Sequence, residues 1–379
     1  MTFRLTKREK IILKRIREER MISRVKIAKK ENISKPVVTM GVRKLINIGA
    51  VKEAGKENKK RARGGKRATL LKFVSDFKLT IAVDIGGTKI LTALIDLDGN
   101  IKRTERINPK KGISKNRFKK LLLEAIKNIT RDISKEKILG IGIGVPGVIE
   151  SDKGVVDFMP VFSLRDVPIK SWVEQEFGIS TFCENDASLQ ALSESWKGVA
   201  KGKKNVIVIN LGAGIGSGLI IDGNLYTGST GRAGEVGYLI SEYDNRSYQD
   251  SFFGELEEKI SGVCLEKRLE EFGYHELTVP DIFANNQMDK RLNDLVVDGF
   301  KSLGISLCNL IAILNPEIIV ITGGVGYNQF EYIEKYTVPT VNKILPKELS
   351  NNVIFAKSKF PDEGVLIGAG YLIQKKTFL

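Results

Sequence analysis

Asp84-Ile85-Gly86-Gly87-Thr88-Lys89 separates two apolar runs, residues 79–83 and 90–95, and so reads as the turn of a β-hairpin. A hairpin turn needs Gly or Asn where φ is positive, and it needs nothing more. Here two glycines bare consecutive backbone N–H groups, Thr88 adds a hydroxyl and Lys89 a cation. Together they make a concavity suited to phosphate oxygens, with Asp84 placed to hold a metal-bound water. An ordinary hairpin is the plainer reading of six residues alone, and the sequence on either side has to decide between the two.

The chain changes character at this turn. Its net charge is +16, and residues 1–80 hold 25 Lys and Arg against 7 Asp and Glu, leaving 36 against 38 for the other 299 residues. So uneven a distribution points to a polyanion partner for the first fifth, unless that fifth is merely a solvated basic tail. A length of 379 residues, 42% hydrophobic and 28% charged, suits two or three globular domains. Residues 1–20 lack the apolar core of a signal peptide, and the apolar window 307–325 is broken by Asn309, Asn315, Pro316 and Glu317. Cys183, Cys264 and Cys308 form neither a disulfide framework nor a metal clip, so the expected location is cytoplasmic.

Three helical periodicities rule against a disordered tail. Ile11, Ile12 and Ile16, followed by Met21 and Ile22, give an apolar stripe through residues 7–20, capped by Thr6. A short second helix over 24–32 would bury Val25, Ile27 and Ala28. Ser34 then offers a cap and Pro36 a first-turn proline for a third helix over 37–48, with Val38, Val42, Leu45 and Ile46 inward and Gly49 past its end. Strands at 50–53 and 68–74 flank a loop, residues 55–67, in which seven of thirteen residues are Lys or Arg. This order predicts a winged helix-turn-helix in residues 1–75, mainly α with a β-wing, binding double-stranded DNA. The candidate contacts are Ser34, Lys35, Pro36, Thr39, Arg43 and Lys44 on and before the third helix, with Arg63, Lys66 and Arg67 on the wing. The run from Ser34-Lys35-Pro36 through Gly49 to Gly64-Gly65-Lys66-Arg67 resembles the DNA-binding segment of the ROK (repressor, open reading frame, kinase) transcriptional regulators. It is nearest the xylose- and N-acetylglucosamine-repressor branch, with Ala68 where a proline is usual.

Downstream, the halves repeat. Leu211-Gly212-Ala213-Gly214-Ile215-Gly216 is a second strand–glycine turn–strand unit, and Thr322-Gly323-Gly324 follows a further strand. Two glycine hairpins heading two βα halves predict an α/β actin-like (ribonuclease H-like) two-lobe ATPase fold with ligands between lobes. The lobes would span residues 79–195 and 196–379. The glycine run 364–370 would close the second half with a helix, a return of that helix onto the first lobe being left open. From residue 79 onward the sequence resembles the ROK sugar kinases and repressors.

That resemblance implies roles residue by residue. Asp84, Gly86, Gly87, Thr88 and Lys89 match a first phosphate loop; Gly212, Gly214 and Gly216 a second; Gly323 and Gly324 an adenosine turn. Asn185 and Asp186 match a sugar-contacting Asn and a catalytic base, Glu235 and Glu257 sugar ligands, with Gly147 and Tyr238 also at the sugar site. Carboxylates and an amide that chelate neighbouring hydroxyls make sense for a carbohydrate. Without the resemblance, Asp186 also reads as the cap of the helix after it. The family's zinc ligands fall on Tyr238, Tyr248, Asp250 and Glu255, from which no tetrahedral N/S site can be built, so no zinc is expected. Tyr238, Tyr248, Phe252 and Phe253 are expected to hold that loop instead. Pro160-Val161 stands where the family has Pro-Asn, and residues 162–169 run short, which alters the sugar pocket.

The expectation is a sugar-responsive regulator, a repressor of carbohydrate-utilisation genes, acting as a homodimer on a palindromic operator. The rival is an ATP-dependent hexose or N-acetylhexosamine kinase retaining a DNA-binding domain, which would need ATP and Mg²⁺. A regulator that answers a protein partner in place of a sugar is a third reading.

Overall fold

The computed structural model describes residues 5–57, 67–110, 112–242, 253–285 and 289–378. Thr6 Oγ1 accepts a hydrogen bond from Glu9 N at 3.3 Å while the Glu9 carboxylate accepts one from Thr6 N at 2.8 Å, starting α1 (Lys7–Glu18) with a reciprocal cap. The helix stops short of residue 20, where Arg20 takes φ 58°. Ile12, Leu13 and Ile16 turn inward, but Met21, expected in the stripe, is exposed. After β1 (Ile22–Ser23), α2 (Arg24–Lys30) buries Ile27 and Ala28, and Val25 faces out, against expectation. In α3 (Lys35–Asn47) Val38, Val42 and Leu45 are buried, Pro36 sits in the first turn, and Ser34 caps by position without a side-chain bond. β2 (Val51–Lys56) and β3 (Thr69–Phe73) complete a three-stranded sheet of order β1-β3-β2.

β4 (Leu79–Ile85), β5 (Ile90–Asp96) and β6 (Ile101–Ile107) form an antiparallel meander. α4 (Lys115–Thr130) covers it with Phe118, Leu122, Ala125 and Ile126, and β7 (Ile138–Val145) returns parallel to β4. β8 (Val148–Glu150), β9 (Val155–Met159) and β10 (Leu164–Val167) make a small antiparallel sheet. α5 (Ile169–Phe177) then leads to β11 (Thr181–Asn185), parallel to β7, so the first large sheet reads β11-β7-β4-β5-β6. α6 (Asp186–Trp196) follows directly.

The second half repeats the pattern. β12 (Val206–Leu211), β13 (Ile215–Ile221) and β14 (Asn224–Tyr226) form a meander. After α7 (Glu255–Ile260), α8 (Gly262–Glu271), α9 (Val279–Asn285) and α10 (Lys290–Leu314), β15 (Ile318–Thr322) pairs parallel to β12. α11 (Gly324–Asn328), α12 (Phe330–Tyr332), α13 (Val338–Ile344) and α14 (Lys347–Ser350) precede β16 (Ile354–Lys357), which gives the order β14-β13-β12-β15-β16. α10 is long and apolar enough to cross a membrane, yet Leu292, Val296, Phe300, Leu303, Leu307 and Ile311 are buried in the core beside this sheet, as in an ordinary core helix. Two meander-plus-parallel sheets of matching order are the two lobes of an actin-like fold.

The lobes exchange helices. α6, which sequence order gives to the first lobe, lies on β12 and β13 of the second sheet, while α15 (Gly364–Thr377) lies on β4 and β7 of the first. The glycine run 364–370 therefore does not close the second half; it serves the crossing of α15 with α6. A Cβ at Gly368 would stand 1.9 Å from Leu189 O, and one at Gly142 of β7 2.7 Å from Ala369 O, distances only glycine permits.

Candidate functional site

The Gly86–Lys89 turn, which joins β4 to β5, is closed by Gly86 N donating to Lys89 O at 2.8 Å. Asp84 sits inside β4, buried, and Lys89 Nζ lies 3.4 Å from its Oδ2. The cation of the expected phosphate loop thus already has a carboxylate partner. Burial raises the Asp84 carboxyl above its ordinary range, and Lys89 pulls it part of the way back.

Where β11 meets α6, the two candidate residues divide the work. Asn185 is the helix cap: its Oδ1 accepts from Ala187 N at 2.9 Å and Ser188 N at 3.2 Å. Its Nδ2 donates to Gly147 O at 3.2 Å, which ties the cap to the turn after β7. The capping role weighed for Asp186 therefore belongs to Asn185, and both ends of the expected sugar-contacting amide already have protein partners. Asp186 accepts from Ala187 N at 2.8 Å. Burial first, then the charges of Asp84 and Glu235, push its carboxyl up to about 7. A carboxyl so poised can accept a proton from a hydroxyl near neutral pH.

In the second lobe, Glu257 at the start of α7 accepts from Ile215 N at 3.1 Å, and burial raises its carboxyl against that bond. Glu235 opens a short 3-10 turn, Val236–Tyr238. It is exposed, yet enough protein surrounds it to raise its carboxyl too. Gly212 and Gly214 lie in the β12–β13 turn, whereas Gly216 is already in β13, opposite Asn210 and against Ala187. The third turn adjoins the second: a Cβ on Gly212 would lie 3.7 Å from Gly324 N. Gly323 takes φ 84°, and a Cβ there would stand 2.4 Å from Leu211 O. Gly87 faces Val161, whose Cγ1 would be 3.4 Å from a Cβ on that glycine. Thr88 is exposed on the turn.

Sequence reading did not single out one fastener beside this loop. Tyr248, Asp250 and Phe252 lie outside the described residues; Tyr238 and Phe253 are 50% and 38% exposed and both keep contacts with the protein. The further fastener is Glu255, at 3% exposure. Its carboxylate accepts from Ser241 N and Ser241 Oγ at 2.9 Å each and pairs with Lys259 Nζ at 2.8 Å, while Lys259 reaches Glu242 at 3.2 Å. The i,i+4 spacing of Glu255 and Lys259 was the available signal. Among the described residues, no three His, Cys, Asp or Glu side chains gather as a metal-holding group. With an oxygen-only carboxylate already satisfied by a serine and a lysine, this corner does not fit a tetrahedral zinc.

On the N-terminal unit, Ser34, Lys35, Pro36, Thr39, Arg43 and Lys44 are all exposed on and before α3. Lys44, however, pairs with Glu9 at 3.0 Å, and Thr39 Oγ1 donates to Lys35 O at 2.9 Å. Met40, which patterning did not single out, is 73% exposed beside them. Arg67 is exposed at the foot of β3; Arg63 and Lys66 fall outside the described residues.

The ROK family profile matches residues 80–376. A xylose repressor of Caldicellulosiruptor bescii is 30% identical over 374 residues, spanning 94% of this chain and 93% of its own. A glucokinase of Halalkalibacterium halodurans is 30% identical over 321 residues, 78% of this chain and 95% of its own. In fold, the chain is similar to a solved ROK family transcriptional regulator, a homolog of the E. coli MLC protein, with TM-score 0.82 and 21% identity over 97% of this chain and 95% of that one. A matching profile over the two-lobe body, and a relative alike over almost the full length, lead to one conclusion: the chain belongs to the ROK family.

Proposed function

We propose that this protein is a sugar-responsive transcriptional repressor of carbohydrate-utilisation genes, with residues 1–75 as a winged helix-turn-helix and the lobes 79–195 and 196–379 as its sensor. One observation carries the reading: a basic N-terminal unit, whose third helix exposes Lys35, Thr39, Met40 and Arg43, is joined to a two-lobe body that keeps Asp186, Glu235 and Glu257. The lengths of the relatives support it, because the repressor is spanned by 94% of this chain and the glucokinase by only 78%. α3 would enter a major groove, with the wing, Arg67 included, along phosphates. A homodimer would set two such helices on a palindromic operator inside the cell. In the cleft, Asp186, Glu235 and Glu257 would chelate sugar hydroxyls, with Asn185 holding Gly147 and the helix start in place.

Xylose is the first ligand to test, given the repressor relative. Titrating it into a fluorescently labelled operator complex should change the anisotropy, and substituting Glu235 should abolish that response while operator binding remains. Loss of neither would refute the sugar site.

The pKa of about 7 at Asp186 favours a second reading, a retained sugar kinase activity. The glycine turns fit a nucleotide: Gly212 and Gly323–Gly324 lie together at a spacing that side chains would fill. Gly86–Lys89 and Gly212–Gly214 would hold phosphates of ATP, Asp84 its Mg²⁺ through water, and Gly323–Gly324 the adenosine. ATP would supply the phosphoryl group, and Asp186 would take the proton of the attacking hydroxyl. Sugar-dependent ADP release that Asp186→Asn removes would establish it.

A further inference from the structure

The turn Leu97–Asn100 at the far end of the β5–β6 hairpin belongs to the first lobe, yet Leu97 is fully buried in the core of the N-terminal unit. Asp96, also fully buried, fixes the shape of that turn. It accepts from Asp98 N at 3.0 Å, from Asn100 N and Nδ2 at 2.9 Å each, and from Ser75 Oγ at 3.1 Å, and it pairs with Lys102 at 3.1 Å. Ser75 lies on the connection from the N-terminal unit, and its carbonyl accepts from Leu97 N at 2.9 Å. The two parts of the chain are therefore stitched to one rigid turn.

Arg17, in the last turn of α1, closes on the same turn. Its Nε lies 3.2 Å from Asp98 Oδ1 and its Nη2 donates to Leu97 O. Its guanidinium stands 5.5 Å from the centre of the Phe73 ring and 5.6 Å from that of Trp196. Trp196 is the last residue of α6, stacked on Tyr371 of α15 at 4.6 Å and 8°. The turn lies directly on the indole, since a Cβ at Gly99 would stand 2.5 Å from Trp196 Cζ3. Lys197 Nζ donates to Asp98 O at 2.6 Å. At its other end α6 begins with Asp186 and the Asn185 cap in the cleft. Its eleven residues span roughly 16 Å at 1.5 Å per residue. One helix thus has a ligand-site carboxylate at its first residue and the joint to the N-terminal unit at its last.

From this we infer that α6 is the coupling element of the sensor and that Arg17 is its receiving residue, a positioning residue that touches neither the cleft nor the exposed face of α3. When a ligand draws Asp186 and the opposite lobe together, α6 shifts as a rod between the two sheets. Trp196 then moves against the Leu97–Asn100 turn and Arg17, which tilts α1 and the α3 packed on it. The inference rests on the sugar-sensing reading.

The test uses the full chain, D-xylose within a sugar panel, and an operator duplex that the wild type selects from a random library. The chain has two tryptophans, so Trp172→Phe leaves Trp196 as the sole reporter of the joint. Xylose should shift Trp196 emission in that variant. Arg17→Met should leave calorimetric sugar affinity within about twofold, while the ratio of operator affinities without and with sugar falls by roughly 3- to 30-fold. Arg17→Lys, which keeps the charge on Asp98 and over the indole, should restore part of the ratio, an outcome that general loosening would not give. Sugar binding that leaves Trp196 emission unchanged, or a full ratio in Arg17→Met, overturns the coupling role while sparing the sensor. No binding by any sugar of the panel overturns the sensing reading, and the coupling role with it.

Discussion

Replacing Asp186 by Asn tests the electrostatics of the cleft directly. Folding lifts this carboxyl from 3.8 to about 7, so between pH 4 and pH 7 the native protein holds a proton that the unfolded chain has released. Stability is therefore fullest below pH 4, falls as pH rises through that window, and levels off above pH 7. About three units at 1.36 kcal/mol each set a ceiling of ~4 kcal/mol. Asp186 is partly open to the cleft, which brings the usable figure to ~2 kcal/mol. Asn keeps an oxygen for the Ala187 N–H and carries no charge, so Asp186→Asn should be more stable than wild type at pH 8, by ~2 kcal/mol. The gap should close toward pH 5. Paired thermal melts across pH 5–8 read it, with Asp84→Asn as the partner variant, since removal of the Asp84 charge should move the Asp186 transition to lower pH. A gap that stays flat with pH, or a wild type more stable than Asp186→Asn at pH 8, would refute the account.

Truncating Glu255 to Ala should cost ~2–3 kcal/mol, because Ser241 and a half-buried Lys259 lose their partner, and EDTA should leave the melting temperature of the wild type unchanged. Arg43→Ala should weaken operator binding more than Lys44→Ala, since Lys44 is shared with Glu9; Arg67→Ala should lower the salt slope by about 0.9 if that side chain meets one phosphate. Gly368→Ala should destabilise by ~1–3 kcal/mol and blunt ligand response, as its methyl would collide with Leu189 O at the α6–α15 crossing. Denaturation midpoints and anisotropy titrations check these in turn.

Much of the fold was legible because its signals are local. Thr6 with Glu9, and Pro36 after Ser34, announce helix starts within four residues, and each glycine turn marks the end of a strand. What escaped was set by partners far along the chain. Periodicity put Val25 inside α2, but the fold leaves it 40% exposed. Sequence order gave α6 to the first lobe and left open where α15 packs, while close approaches of Gly142 to Ala369 and of Gly218 to Ala187 set α15 on the first sheet and α6 on the second. Asn185 and Asp186 are both good caps by composition. Only the backbone geometry shows that Asn185 takes the cap and leaves Asp186 as the titrating group. The basic stretch 55–67 stands out in the sequence by its charge, whereas the role of Arg17 does not, because its partners Leu97, Asp98 and Trp196 lie 80 or more residues away.

The charge balance of the cleft argues for a neutral ligand. Asp84, Asp186, Glu235 and Glu257 converge there, all raised chiefly by burial. Among the described residues, the one cation that pairs with any of them is Lys89, through Asp84. A neutral sugar offers hydroxyls that can donate to ionised carboxylates or accept from protonated ones, so it is served whichever state Asp186 occupies at pH 7. A sugar phosphate brings negative charge toward the same carboxylates and must compete with Asp84 for Lys89. Each like charge within about 4–6 Å also drives the carboxyls further toward protonation, at a cost drawn from binding. Xylose should therefore raise the melting temperature at concentrations where its phosphate ester does not, and Lys89→Met should not change that preference. Tighter binding of the phosphate ester without added Mg²⁺ would show that the cations of the cleft outweigh its carboxylates, and that Lys89 serves a ligand phosphate in preference to Asp84.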